Sequence, residues 1–161
     1  MAASILSLYQ RMRRWPAGGW LFSRALCFKA PYFGSISPRI TALEAGRCEA
    51  RIAHRRRVTN HIGTVHAIAL CNLAELTAGL MTDASLPASM RWIPKGMQVR
   101  YLAKAVGPQH AMATPAIPIR EADQGYDLPV DVAVHDRHGT QVFSARVEMW
   151  VSPRPPRVAA R

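Results

Sequence analysis

The sequence lacks the features that mark membrane-spanning and disulfide-stabilised proteins. No run of about 18 apolar residues is free of charged residues, which argues against a transmembrane helix. The three cysteines, Cys27, Cys48 and Cys71, are odd in number and form no C-x-x-C pair. This usage fits a reduced, cytoplasmic setting better than a secreted one. With 161 residues and 49% hydrophobic content, the chain is expected to form one ordinary globular domain.

The sequence also lacks a metal-binding pattern. His54, His61 and His66 include no i, i+4 pair and no H-E-x-x-H sequence, so we expect no metal site. Zinc-finger spacing, an aromatic strand of the kind that stacks RNA bases, and a polar recognition helix are missing as well. A nucleic-acid partner is therefore not expected.

Acidic residues are scarce. The chain has 10 Asp and Glu residues against 21 Lys and Arg residues, which gives a formal net charge of +11, and 18 of the basic residues are arginines. Such an excess favours an anionic partner, such as a phosphorylated ligand or a membrane surface. The densest basic cluster, residues 54–57, is equally compatible with phosphate binding and with a solvated strand end.

The first 43 residues contain no acidic residue at all. Ile5, Leu8 and Tyr9 share one face of a predicted helix beside Arg11 and Arg13. A second short helix is predicted over residues 20–28. We interpret residues 1–30 as a basic helical extension that packs over the edge of the domain. The alternatives are a transit peptide and a helix that makes peripheral contact with a membrane.

Beyond this extension, the hydrophobic pattern predicts six strands and one long apolar helix. The helix covers residues 65–81, followed by a loop to residue 89, and the strands cover residues 36–45, 48–58, 90–106, 111–120, 128–135 and 140–151. Only this helix is apolar enough to cover one face of the strands. We therefore predict an α+β domain over residues 31–152, with a curved antiparallel sheet wrapped around a central helix, and a flexible tail over residues 153–161.

Glu75 is the one acidic residue within the apolar helix. An ionised carboxylate in a protein core costs several kcal/mol unless it is paired or used. Upstream, Asn60 and His66 complete the spacing Asn-x5-His-x8-Glu, with Gly63 and Thr64 between them. These residues form the predicted active site. A structural role for Glu75 at a subunit contact and a capping role for Asn60 are the alternatives.

The spacing within this motif predicts an assembly. Nine residues turn a helix by about 180°, so His66 and Glu75 should lie on opposite faces. Two antiparallel copies of the helix at a dimer interface would bring them together. We expect each site of a homodimer to combine Asn60 and His66 of one chain with Glu75 of the other.

The motif resembles the active-site stretch of hotdog-fold acyl-CoA thioesterases of the PaaI-like type. The pattern N-x-x-G-T-x-H-A-x-A-L-x-x-x-x-E over residues 60–75, followed by Y-L-x-K-A over residues 101–105, is similar to the DUF4442 group of hotdog proteins. The resemblance covers about residues 36–151. It implies a hotdog fold and hydrolysis of a thioester, in which Glu75 acts as base or nucleophile and the N–H of Ala67 stabilises the oxyanion. It also implies that Asn60 orients water or substrate and that His66 fixes the loop by hydrogen bonding.

The resemblance also implies a coenzyme A thioester as the substrate, no further cofactor, and a homodimer or tetramer. Gly63 and Thr64 would line the substrate site. The candidate contacts of the coenzyme A phosphates are Arg57, Arg91, Lys95 and Arg100. Solvated positions explain these basic residues equally well.

The sequence departs from the enzymes of this type at two places. His66 is followed by Ala67 and Ile68, where many of them have two glycines. The positions one turn after Glu75 hold Ala78 and Gly79, where a serine or threonine is common. These departures keep open a hotdog protein that binds acyl-CoA or a fatty acyl group without turnover.

Overall fold

The computed structural model describes residues 4–155, which form three α-helices, two short 3-10 turns and six strands. The helices are α1 Ile5–Arg13, α2 Gly18–Lys29 and α3 Ala67–Ser85, and the 3-10 turns are Pro31–Ser35 and Arg56–Val58. The strands are β1 Arg39–Glu44, β2 Arg47–Ile52, β3 Met90–Tyr101, β4 Gln109–Pro115, β5 Tyr126–His135 and β6 Gln141–Pro153.

The six strands form one antiparallel sheet with the order β1-β2-β4-β5-β6-β3. Both ends of this order are therefore edge strands: β1 at one side and β3 at the other. Helix α3 contacts all six strands. The arrangement is the hotdog fold, which confirms the predicted α+β class and the sheet wrapped around a central helix.

Helix α3 is longer than its hydrophobic pattern predicts. The apolar stretch suggests an end at Met81, but the helix continues to Ser85. The hydroxyl of Thr82 donates to the carbonyl of Ala78 at 2.9 Å, and that of Ser85 donates to the carbonyl of Met81. Because these polar side chains bond back to the helix, they do not end it. The loop between α3 and β3 is therefore shorter than predicted.

The last strand supplies much of the core. Phe143, Ala145, Val147, Met149 and Val151 alternate along β6 and are all buried. This alternation is the one that the sequence predicts for a strand with one buried face.

The N-terminal helices pack against the sheet rather than standing apart from it. Tyr9 of α1 and Phe22 of α2 are buried, with their rings in edge-to-face contact at 5.0 Å between centroids. The hydroxyl of Ser23 accepts a hydrogen bond from the N–H of Ile40 at 2.9 Å, which joins α2 to β1. No helix among residues 4–155 has both the length and the apolar character needed to span a membrane.

The C-terminal end of the domain is tied down at the start of the predicted tail. Strand β6 continues through Pro153, and the N–H of Arg154 donates to the carbonyl of Ser89 at 2.7 Å. The Arg154 Nε donates to the carbonyl of Met90 at the same distance, 2.7 Å. The remainder of the predicted tail, residues 156–161, lies outside the described residues.

Candidate active site

The loop that leads into α3, residues 59–66 and here called the entry loop, is organised by Asn60. Its Oδ1 accepts from the N–H groups of Ile62 and Thr64, each at 3.1 Å, and its Nδ2 donates to the Thr64 hydroxyl at 2.8 Å. Gly63 has a φ of +77°, a left-handed conformation that favours glycine. Asn60 therefore shapes the loop and does not cap α3. Its predicted role in orienting water or substrate stays a prediction.

A residue that the motif does not include, His54, joins the entry loop to the loop before β4. The N–H of Gly107 donates to Nδ1 of His54 at 3.1 Å, and Nε2 of His54 lies 3.1 Å from the carbonyl oxygen of Gly63. Because Nδ1 accepts, Nε2 carries the proton and donates to Gly63. His54 thus holds the two loops in register.

Helix α3 begins with a histidine cap. The N–H of His66 donates to the carbonyl of Val58 at 2.8 Å, and its Nδ1 accepts from the N–H of Ile68 at 3.1 Å. Among residues 4–155, the Ala67 N–H forms no hydrogen bond. This free donor stands at the positive end of a 19-residue helix. Such a donor is suited to stabilising an oxyanion, and the role of Ala67 as that donor stays a prediction.

Glu75 is exposed on the single chain, so the expectation of a buried acid is wrong at this level of structure. Its carboxylate has no hydrogen bond or ion pair with any other described residue. It continues a row with Ile68, which is 56% exposed, and the partly exposed Cys71. We call these three residues the open stripe of α3. The sheet, α1 and the turn Pro31–Ser35 cover most of the rest of the helix, whose C-terminal end also exposes Asp83.

One chain does not bring the predicted catalytic groups together. Ala67 and Glu75 are eight residues apart on α3, which corresponds to about 12 Å along the axis. His66 and Glu75 are both exposed, at different levels of the same helix. An oxyanion donor must reach the carbonyl oxygen while a base or nucleophile serves the carbon of the same carbonyl group, so the predicted site is incomplete in the single chain.

Tyr101, at the end of the edge strand β3, borders the open stripe. Its hydroxyl lies 3.5 Å from Sγ of Cys71, and its ring packs against Phe143 with 5.5 Å between centroids. The hydrogen bond with Cys71, together with partial burial, raises the pKa of Tyr101 to about 12. The phenol is therefore a neutral hydrogen-bonding group at physiological pH. The sequence presents Tyr101 only as part of the family pattern.

The four basic residues predicted to contact phosphates do not lie together. Arg57 is exposed in the turn just before the entry loop. Arg91 and Arg100 pair with serines of β6 that alternate with its buried residues, so they lie on the outer face of the sheet, away from α3. Lys95 donates to the carboxylate of Asp127 at 2.8 Å. Their proposed phosphate contacts stay predictions.

No group of three or more His, Cys, Asp and Glu side chains in the described part of the chain is arranged to hold a metal ion. The chemistry available around α3 consists of a helix N-terminus, a carboxylate, a thiol and a phenol. These groups suit acyl transfer or hydrolysis, which need an oxyanion donor and a general base.

Solved structures similar to this chain share its fold. A protein from a genomics project is 44% identical, with a TM-score of 0.79, and the match covers 93% of this chain and 99% of that one. A Pseudomonas aeruginosa protein of unknown function called a probable thioesterase is 22% identical, with a TM-score of 0.72 and coverage of 83% and 95%. A thioesterase from Haemophilus influenzae is 18% identical, with a TM-score of 0.70 and coverage of 80% and 87%.

Sequence comparison gives the family. No curated protein matches this chain. The family model DUF4442, a domain of unknown function, matches residues 18–151 and therefore includes α2, the entry loop, α3 and almost all of the sheet. Because the match spans most of its length, this chain belongs to the DUF4442 family of hotdog-fold proteins.

Proposed function

We propose that this protein hydrolyses acyl-CoA thioesters as a homodimer. The observation that carries the proposal is the free N–H of Ala67 at the start of α3, together with the unpaired carboxylate of Glu75 on the open stripe of the same helix. The names of the similar Pseudomonas and Haemophilus proteins support a thioesterase-like activity.

Two uncovered surfaces support the proposed dimer. Among residues 4–155, strand β3 pairs only with β6, so its other edge has free backbone groups there. The contact between Cys71 and Tyr101 places the open stripe of α3 on the same side. A second copy placed by a two-fold axis can pair along β3 and set the two α3 helices antiparallel. The N-terminus of each helix then approaches Glu75 of the other.

In such a dimer, the carbonyl oxygen of the thioester would accept a hydrogen bond from the Ala67 N–H of one chain. Glu75 of the partner subunit would either remove a proton from an attacking water or attack the carbonyl carbon directly. In the first case a C–O bond forms, the C–S bond breaks, and the proton is delivered to the leaving thiolate. In the second case a Glu75 oxygen bonds to the carbonyl carbon as the C–S bond breaks, the thiolate takes a proton from water, and a water molecule then hydrolyses the resulting anhydride and restores Glu75. Both routes consume one water and end in a carboxylic acid and free coenzyme A.

Two further residues would position these groups. His66 caps α3 through its Nδ1 and so fixes the peptide that carries the Ala67 N–H. Asn60 keeps the entry loop in the conformation that lets Val58 receive the His66 N–H. A displacement of the oxyanion donor by about 1 Å is enough to lower a rate by roughly 100-fold.

A second function, binding of acyl-CoA or a fatty acyl group without turnover, is favoured by the missing hydroxyl. Ala78 and Gly79 are both buried, and an added Cβ at Gly79 would lie 2.9 Å from the Trp92 ring. The hydroxyl of Thr77 is also unavailable, because it is buried and donates to the carbonyl of Leu73. No side-chain hydroxyl therefore follows Glu75 at the next turn.

The deciding experiment measures release of free thiol from a panel of short, long and aromatic acyl-CoAs by the wild type and by Glu75→Gln. We expect turnover by the wild type and a fall of about 100-fold or more in the variant, because the base is lost while the shape is kept. Asp83→Asn is the matched control, since Asp83 is an exposed carboxylate on the same helix. Unchanged turnover in Glu75→Gln would overturn the role of Glu75. Binding without turnover in the wild type would favour the second function.

A further inference from the structure

A large open cavity lies between the N-terminal helices and the β1 edge of the sheet. Its volume is about 880 Å³. Residues from α1, α2, β1 and β2 line it, and none of them is acidic. Five of the lining residues are arginines, and we call this site the arginine cavity: Arg13, Arg24, Arg39, Arg51 and Arg55.

The positive charge of the arginine cavity is not neutralised within the chain. Among the described residues, none of the five arginines forms an ion pair. The nearest acid along β2, Glu49, is already bound to Arg47 and to His110. The cavity is therefore a site of uncompensated charge.

Two of these arginines face each other directly. Arg39 of β1 and Arg51 of β2 are cross-strand partners, and Arg51 is paired on its other side with His110 of β4. Directly opposed like charges destabilise a sheet. An anion held between them would remove this repulsion, and guanidinium groups bind phosphate oxygens in a two-point geometry.

The outer face of α2, beside this cavity, carries large apolar side chains among basic ones. The exposed positions of the helix are 20, 21, 24, 25, 28 and 29, and they include Trp20, Leu21 and Phe28 beside Arg24 and Lys29. Phe28 is 91% exposed. Trp15 and Tyr32 extend this surface at 73% and 71% exposure. Trp15 and Trp20 also line the arginine cavity, so the apolar face and the charged site are continuous.

We propose that the arginine cavity and the outer face of α2 form a docking surface for an anionic phospholipid bilayer. The arginines bind the headgroup phosphates, and Trp20 and Phe28 enter the interfacial region of the lipid. Tryptophan and tyrosine favour this interface, and basic residues beside an exposed apolar helix face are typical of proteins that lie on membranes. A soluble phosphate ligand would explain the arginines but leaves Phe28 without a role.

The surface is compatible with the proposed dimer and independent of the proposed activity. The arginine cavity is at the β1 edge, whereas the predicted dimer contact is at the β3 edge, at the other end of the six-stranded sheet. Dimerisation therefore leaves the docking surface free. A failure of lipid binding would not affect the case for Glu75, and a lack of turnover would not affect this one.

The test is co-flotation of the full-length protein with vesicles of phosphatidylcholine alone and of phosphatidylcholine with phosphatidylglycerol. We expect binding to the anionic vesicles only, with an affinity that falls as salt is added. Arg39→Gln with Arg51→Gln should weaken this binding about 25-fold, because each arginine near an anionic surface contributes about a fivefold factor. Phe28→Ser should remove the blue shift of tryptophan emission on vesicle addition.

The matched control is Arg91→Gln with Arg100→Gln, which removes the same charge from the outer face of β3. Binding by this variant should stay within a few-fold of the wild type, and thermal melts check that all variants fold. Equal weakening by the two arginine pairs would overturn the proposal. The proposal would also be overturned if the protein bound no vesicles but bound coenzyme A or pyrophosphate in a way that depends on Arg39 and Arg51. If the protein formed an oligomer larger than a dimer and Phe28→Ser dissociated it, the surface would bind a second copy of the chain, and the lipid proposal would be overturned.

Discussion

The hydroxyl of Tyr101 lies 3.5 Å from Sγ of Cys71, and this contact joins the free edge strand β3 to the open stripe of α3. Both surfaces are uncovered in the single chain, and the contact places them on the same side of the domain. Tyr101 also packs on Phe143, so its position is determined by the core. The two elements that a dimer would use are thereby held in a fixed relation before any partner arrives.

The same contact predicts a pH dependence of stability at alkaline pH. The pKa of Tyr101 is raised from 10.0 to about 12 in the folded chain, so between these values the unfolded state loses a proton that the folded state keeps. Stability is thus fully present below pH 10 and falls as the pH rises towards 12. Thermal melts of the wild type and of Tyr101→Phe, measured over this range, should show the steeper decline in the wild type. Parallel declines would contradict the raised pKa.

The histidine cap of α3 predicts a combined effect on stability and turnover. His66→Ala removes the acceptor of the Ile68 N–H and should lower the free energy of unfolding by about 1 kcal/mol. It should also lower kcat roughly 10- to 100-fold, because the Ala67 N–H is no longer held in place. Urea denaturation and thiol release measure the two effects. His61→Ala is the control, since His61 is exposed in the same loop, and an equal loss in both variants would argue against a cap-specific role.

The contacts of His54 predict that it is a positioning residue. His54→Ala leaves the Gly107 N–H and the Gly63 carbonyl without their partner and should destabilise the fold by about 1–2 kcal/mol. If His54 acts on catalysis through the entry loop, kcat should fall while KM changes little. His138→Ala is the control, because His138 lies in the exposed turn between β5 and β6. A change confined to stability would limit His54 to a structural role.

Much of the fold could be predicted from local patterns, whereas contacts between distant segments could not. The alternation of Phe143, Ala145 and Val147 and the apolar character of α3 depend on neighbouring residues, and both predictions were confirmed. His54 is 53 residues from Gly107 along the chain, so no pattern near it predicts their hydrogen bond. The sequence shows His54 as part of a basic cluster and as a histidine outside any metal-binding spacing.

The burial of Glu75 was predicted wrongly for a related reason. Hydrophobicity shows that a helix is apolar all round, but not which side the sheet leaves open. Isoleucine and cysteine are residue types typical of a core, although Ile68 and Cys71 lie on the open stripe beside Glu75. An apolar stripe reserved for a partner chain has the same sequence signature as a core. The outer face of α2, with Trp20 and Phe28, gives the same ambiguity.

The proposed dimer predicts a specific cross-link. If the Ala67 N–H of one antiparallel helix serves the same carbonyl as Glu75 of the other, the two-fold axis must pass near the residue midway between them, which is Cys71. Cys71 is partly exposed, whereas Cys27 and Cys48 are buried, and burial raises the pKa of the Cys48 thiol and makes it unreactive. A short bis-maleimide should therefore convert the native protein into a covalent dimer.

Cys71→Ser should abolish this cross-link, whereas Cys27→Ser should leave the yield of cross-linked dimer unchanged. Denaturing electrophoresis after brief treatment of dilute protein measures this yield. The protein is diluted to separate two sources of cross-linked product. Products of random collisions become rarer as the protein is diluted, whereas the yield from a preformed dimer follows the fraction of the protein that is dimeric. A dimer by light scattering whose Cys71 reacts with a mono-maleimide, and is therefore reachable, but gives no cross-link would place the two-fold axis away from Cys71. In that case Ala67 and Glu75 of the two chains could not meet at one carbonyl, and the shared site would have to be abandoned even if the protein hydrolyses thioesters.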